Sequence, residues 1–340
     1  MDHDSAQTPP RRPFRWAGLI LPVLILLALV AGVVANPALR SLFADALGRI
    51  DPRAVAVTLP VQLVAILVCT AAQQALKVGI PFRSSFIARI TRDAGHNLLI
   101  FPPGLGEAIG ARVVVLLGGR GRSAVALRVL DVAAEVIGEI PYMVLAGTVL
   151  WGWWHRGGPV QTGPVQTGSV QGGGHVALWL LGAVIVVVLG WRLWRGSDHH
   201  LRWRASRMGR RVMAEIHLMK RELKRQRTGM PLAIVLHIIG WGLSGVQVWL
   251  AAKVMGVELP LFGALAIESA ATSARVILFF VPGGLGMQEA GAVFAGLAVG
   301  IEPATALAFS LVLRLRDVCF GVALLWWPWL EYRRGSARRG

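Results

Sequence analysis

Several charged side chains stand where a chain this apolar should carry none. Glu107, Arg128, Asp131, Glu135 and Glu139 fall in apolar stretches of the first half, and Glu268, Arg275, Glu289, Arg314, Arg316 and Asp317 in those of the last third. At a lipid-exposed helix centre each would cost roughly 2.5–3.5 kcal/mol, so they are expected to face inward and pair. Arg275 and Arg316 offer a planar fork that grips a phosphate through two bonds, which lysine cannot do. A carboxyl in a dry site can take up and release a proton, which makes Glu107 or Glu289 a candidate proton carrier. Two readings fit these types: a polar path for a substrate, or helix caps and interhelical clamps. His96 reads as a local hydrogen-bonding group and His237, in an apolar span, as a residue that ties one helix to another.

The charges belong to a repeated pattern. PGLGEA (Pro103–Ala108) is followed by LRVLD (Leu127–Asp131), and PGGLGMQEA (Pro282–Ala290) by LRLRD (Leu313–Asp317). Glutamate and arginine lie 21 residues apart in the first copy (107 to 128) and 25 in the second (289 to 314). Proline lacks an amide hydrogen and glycine lets the backbone reverse, so each run predicts a broken helix. Pro103, Gly104 and Gly106 mark the first break; Pro282, Gly283, Gly284 and Gly286 mark the second. Such breaks are tolerated in a membrane only where the backbone faces protein or a wet cavity. A half-helix starting near Gly286 would present unpaired N–H groups suited to an anion, either Glu289 or a substrate phosphate. Arg128–Asp131 and Arg314–Asp317 are spaced i, i+3 and can satisfy one another.

The elements that must hold these residues are membrane helices. The chain has 340 residues, 55% hydrophobic and 16% charged, against about 25% charged in soluble domains. At about 20 residues per span, the candidates are Trp16–Ala35, Ala54–Gly79, Ala124–Trp151, Val176–Leu193, Pro231–Met255 and Thr305–Trp327. The expected fold is all-α: a polytopic helix bundle with two broken, re-entrant hairpins in an inverted-topology repeat. Residues 1–53 hold a cytoplasmic tail, a first span and a surface helix. Residues 54–155 form repeat 1 with its broken hairpin at 84–118. A Gly/Gln-rich periplasmic loop covers 156–175, and 176–228 hold a span and a basic amphipathic helix on the cytoplasmic leaflet. Residues 229–330 form repeat 2 with its hairpin at 259–300, and 331–340 a basic tail.

Orientation follows from arginine. Residues 201–227 and the C-terminal tail are rich in Arg and are read as cytoplasmic, whereas 157–174 hold no Lys or Arg. Both termini are therefore expected inside, with the two broken regions entering from opposite faces. That is the pattern of transporters whose discontinuous helices meet near the bilayer midplane. The net charge of +17 matches cytoplasmic loops facing anionic lipid rather than nucleic acid. Cys69 and Cys319 lie in apolar runs without metal-ligand spacing, so no metal, cofactor or disulfide framework is expected. No nucleotide-binding motif appears.

The two Gly-Glu motifs with the LRLRD that follows resemble the transmembrane region of lysylphosphatidylglycerol synthases and their stand-alone flippase-like relatives, over roughly 54–331. The run AIESAATSARVILFFVPGGLGMQEAG is similar to the subgroup found with hopanoid biosynthesis. The resemblance implies a bacterial inner-membrane protein that moves a lipid, phospholipid or hopanoid, between leaflets, with lipid-biosynthetic enzymes as possible partners. By motif match Pro282–Gly286 and Glu289 fall on the family's C-terminal broken helix and Glu107 on the N-terminal one. Where the family has an arginine before the first Gly-Glu, this chain has Leu105; Arg112 remains downstream. The substrate path expected on both grounds comprises Glu107, Arg112, Glu268, Arg275, the second break, Glu289, Arg314, Arg316 and Asp317. Full-length synthases carry a soluble aminoacyl-transferase domain, for which no hydrophilic stretch here has the length, so this chain is not expected to be an enzyme. Two other readings stand beside transport. One is a non-catalytic scaffold for lipid biosynthesis. The other is an intramembrane lipid-modifying transferase, against which the scarcity of loop carboxylates counts.

Overall fold

Short polar residues followed by proline start several helices. Asn36 Oδ1 accepts from the backbone N–H of Ala38 and Leu39 at 3.0 and 3.2 Å, and Asp51 Oδ1 accepts from Arg53 N–H at 2.7 Å. Each serves donors that the first turn leaves unpaired, and the proline behind it has no N–H to leave unpaired. The computed structural model describes residues 27, 31–98, 104–155, 228–277 and 286–336. Among them are ten α-helices and no strand: α1 (Pro37–Gly48), α2 (Pro52–Ala75), α3 (Phe82–Leu98), α4 (Leu105–Leu116), α5 (Gly121–His155), α6 (Gly229–Val254), α7 (Leu261–Ile277), α8 (Met287–Ala298), α9 (Pro303–Gly321) and α10 (Trp326–Ser336).

The protein is thus an all-α helix bundle. α2 and α6 are long and apolar enough to cross a membrane. The span read as one helix over Thr305–Trp327 is broken: α9 ends at Gly321, a 3-10 turn covers Val322–Leu325, and α10 starts at Trp326. The surface helix expected over 39–53 is α1, whose Ala46 is buried against Leu307 and Ala308 of α9. Nearly all of the first span Trp16–Ala35, the periplasmic loop, the span Val176–Leu193 and the basic helix of 201–227 lie outside the described residues. So do Pro103, Pro282, Gly283 and Gly284.

The element order recurs. In each half a long helix (α2, α6) precedes one of 17 residues (α3, α7), then one of 12 (α4, α8), then another long one (α5, α9). At 1.5 Å per residue a 12-residue helix is about 18 Å long, short of the ~30 Å hydrocarbon layer. α4 and α8 therefore reach only part-way. Packing is reciprocal: α2 lies along α6, α3 packs on α9 as α7 packs on α5, and α2 meets α9 as α6 meets α5. Each half thus lends its 17-residue helix to the other, so the centre of the bundle is built jointly.

Candidate functional site

The short helices begin where the breaks were expected. Gly104 and Gly286, at φ +80° and +81°, precede α4 and α8. In this left-handed region a Cβ would clash with the backbone, so glycine is the residue that permits these helix starts. Each start brings a glutamate to the first turn, yet the two glutamates differ. Glu289 Oε2 accepts the Gly286 N–H at 2.9 Å while its Oε1 accepts from Arg314 Nε at 3.0 Å. Glu107 makes no such cap; one of its oxygens pairs with Arg92 of α3, and Oε2 is buried without a hydrogen bond.

Around Glu107 α3 and α5 of the first half pack a dense ion network that also takes in side chains of α2 and α6. Arg89 meets Asp93 at 3.0 Å, Asp131 at 3.3 Å and Glu135 at 3.0 Å; Arg92 meets Glu135 and Asp93, each at 2.8 Å. Asp131, fully buried, also accepts from Gln73 Nε2 at 2.8 Å and meets His237 Nε2 at 3.0 Å. His237 thereby joins α6 to α5, the role expected of it. Arg89, Arg92, Asp93 and Gln73 were missed as site residues. Sequence alone places Arg89 and Arg92 within the first broken hairpin without assigning them partners, and only their burial on α3 reveals the network.

In the second half Arg316 bonds to Gln247 of α6 and to Asp317 at 2.7 Å, and Gln247 donates to Gln62 of α2 at 3.1 Å. The expected i, i+3 pair of Arg314 with Asp317 does not form, because Arg314 turns to Glu289 and Asp317 takes its chain neighbour. Arg128 and Asp131 do approach, at 3.4 Å. Glu268 is buried and accepts from Thr272 at 3.3 Å. Arg275 of α7 donates to Asn97 of α3 at 3.3 Å and so bridges the two halves. Arg112 lies apart from the interior: its guanidinium forks onto Glu331 of α10 at 2.6 and 2.8 Å, half-exposed. Those bonds hold the Glu331 carboxyl below the ordinary glutamate range.

The described interior is thus an apolar core with clusters of charged side chains set into it, while many large apolar side chains are exposed, among them Val64, Ile140, Val144, Val235, Phe294 and Val318. Exposed apolar side chains suit a lipid solvent, and most of the buried charges pair with one another. A sequence profile described as "Lysylphosphatidylglycerol synthase TM region" matches residues 15–324. The chain belongs to this family. It is a membrane protein, and the family points to a lipid-related role. No curated protein and no solved structure matches it.

Proposed function

We propose that this member of the family moves a lipid between the leaflets of the bacterial inner membrane, without covalent chemistry. The observation that carries the reading is the ion-paired interior shared by both halves, bridged at Arg275 and Asn97 beneath an apolar exterior. A polar head group can exchange hydrogen bonds with such side chains while its tails stay in lipid. The recurring element order and reciprocal packing support an inverted repeat, with both termini cytoplasmic and the halves rocking about α2 and α6. In this mechanism Glu289 and Arg314 order the start of α8, Arg275 meets the head group between the halves, and Glu268, Arg316 and Asp317 line the way. The lipid is the one partner the reading requires; phospholipid and hopanoid are the two classes to compare.

The test is a leaflet-exposure assay in reconstituted vesicles with labelled phospholipid and labelled hopanoid. Glu289→Gln and Arg275→Ala should each slow movement at least about tenfold, the loss of one charge-assisted bond, while gel filtration stays that of the wild type. Wild-type protein that is folded yet moves neither lipid would sink the reading.

A further inference from the structure

The two motif copies place the same residues differently, and the difference has a local cause. In the second copy the set is closed: Glu289 caps Gly286 and bonds to Arg314. In the first copy Arg128, the counterpart of Arg314, is 4% exposed, and none of its three guanidinium nitrogens has a hydrogen-bond partner. Its nearest anions are Asp131 Oδ2 at 3.4 Å and Glu107 Oε2, in the first turn of α4, at 3.9 Å. Asp131 is already engaged by Gln73, Arg89 and His237, and Glu107 by Arg92. Arg92 is the reason. α4 packs on it at Gly110, whereas α8 packs on the backbone of Ala270 and Ala271 at Gly291. Arg92 and Ala271 are each the eleventh residue of a 17-residue helix. Only the first half has an arginine at this place to draw the glutamate aside.

A guanidinium carries five N–H donors. Burying it with none used is costly unless an acceptor arrives at some stage of the working cycle. We propose that Arg128, directed at the first turn of α4, is the seat for the anionic phosphodiester of the transported lipid. The proposal rests on the transport reading and adds, in repeat 1, a second head-group contact to that of Arg275. The N-terminus of α4, where Gly104 offers no side-chain cap, adds unpaired N–H groups and a positive dipole end to the same place. A phosphate held by this fork would replace its long contacts to Asp131 and to Glu107 Oε2 and leave the bond from Arg92 to Glu107 Oε1 in place.

The test is equilibrium binding to the full chain in neutral detergent, by calorimetry, with two probes: monomeric short-chain phosphatidylglycerol and inorganic phosphate. Wild type should bind the lipid saturably, and Arg128→Gln should weaken binding at least about tenfold. Arg49→Gln, which alters only the pair with exposed Glu302 and the bond to Thr305, should leave it within about threefold. Glu107→Gln keeps the neighbouring bonds and removes a repelling charge, so binding should hold or tighten; this arm stays informative if Arg128→Gln fails to fold. Binding that ignores Arg128, or is lost in Glu107→Gln or Arg49→Gln instead, overturns the seat. Lipid binding without phosphate binding assigns a lipid head group, and binding of both assigns the phosphodiester itself; phosphate alone would contradict a lipid ligand. Arg128-dependent binding by a protein that moves no lipid would retain the seat and remove transport, whereas movement unaffected by Arg128→Gln would do the reverse.

Discussion

Asp131 shows how much of this protein's interior hangs on single residues. It is fully buried on α5 and takes bonds from α2, α3 and α6 at once, through Gln73, Arg89 and His237. Asp131→Asn keeps the shape but removes the charge that balances Arg89 and Arg128. Breaking a buried pair from one side costs about 3–5 kcal/mol, so the variant should lose melting temperature in detergent markedly. An unchanged melting curve would mean that the network is not needed for the fold. By contrast, Arg49 forks onto exposed Glu302 at 2.6 and 2.8 Å. Pairs of that kind contribute about 0–1 kcal/mol.

The elements that matter most are the short helices, whose depth depends on close contact with the 17-residue helices beside them. A Cβ at Gly291 of α8 would lie 2.5 Å from the carbonyl oxygen of Ala270 and 3.0 Å from Cα of Ala271. Because both are backbone atoms on α7, neither can swing away. Gly291→Ala should therefore push α8 off α7 and destabilise by about 1–3 kcal/mol, read as a lower midpoint in a thermal unfolding series. A midpoint at or above that of the wild type would show that α7 and α8 are not held this tightly. On the other half, α10 clasps α4 through Glu331 with Arg112 and through Arg334 with the Val115 carbonyl at 3.2 Å. The carbonyl lies in the last turn of α4, where unpaired acceptors and the negative dipole end favour a cation.

For the whole molecule the decisive question is whether the halves are inverted. The C-terminal ends of α2 and α6 run into related residues, Lys77-Val78-Gly79 and Lys253-Val254-Met255-Gly256, with Gly79 and Gly256 at φ +79° and +70°. If the repeat is inverted, these ends lie on opposite faces of the membrane. In a background with Cys69 and Cys319 replaced, Lys77→Cys should react with an impermeant maleimide from the cytoplasmic side and Lys253→Cys from the periplasmic side. Labelling of both from one side would remove the inverted repeat and, with it, the rocking mechanism.

Period, composition and the two Pro-Gly runs by themselves determined that this chain is a helical membrane protein with broken helices at Gly104 and Gly286. Those features depend on local backbone chemistry and on apolar runs long enough to meet lipid, which a linear string records directly. The pairing of charges was not legible, because a guanidinium chooses among carboxylates by distance and burial across helices, not by spacing along one. Hence Arg314 left Asp317 for Glu289, Arg112 went outward to Glu331, and Arg89 and Arg92 of the first hairpin found their carboxylates in the core. Tertiary structure alone decided that two copies of one motif became unlike: a single arginine at the eleventh place of α3, facing alanine's place in α7, drew Glu107 aside and left Arg128 buried without a hydrogen bond.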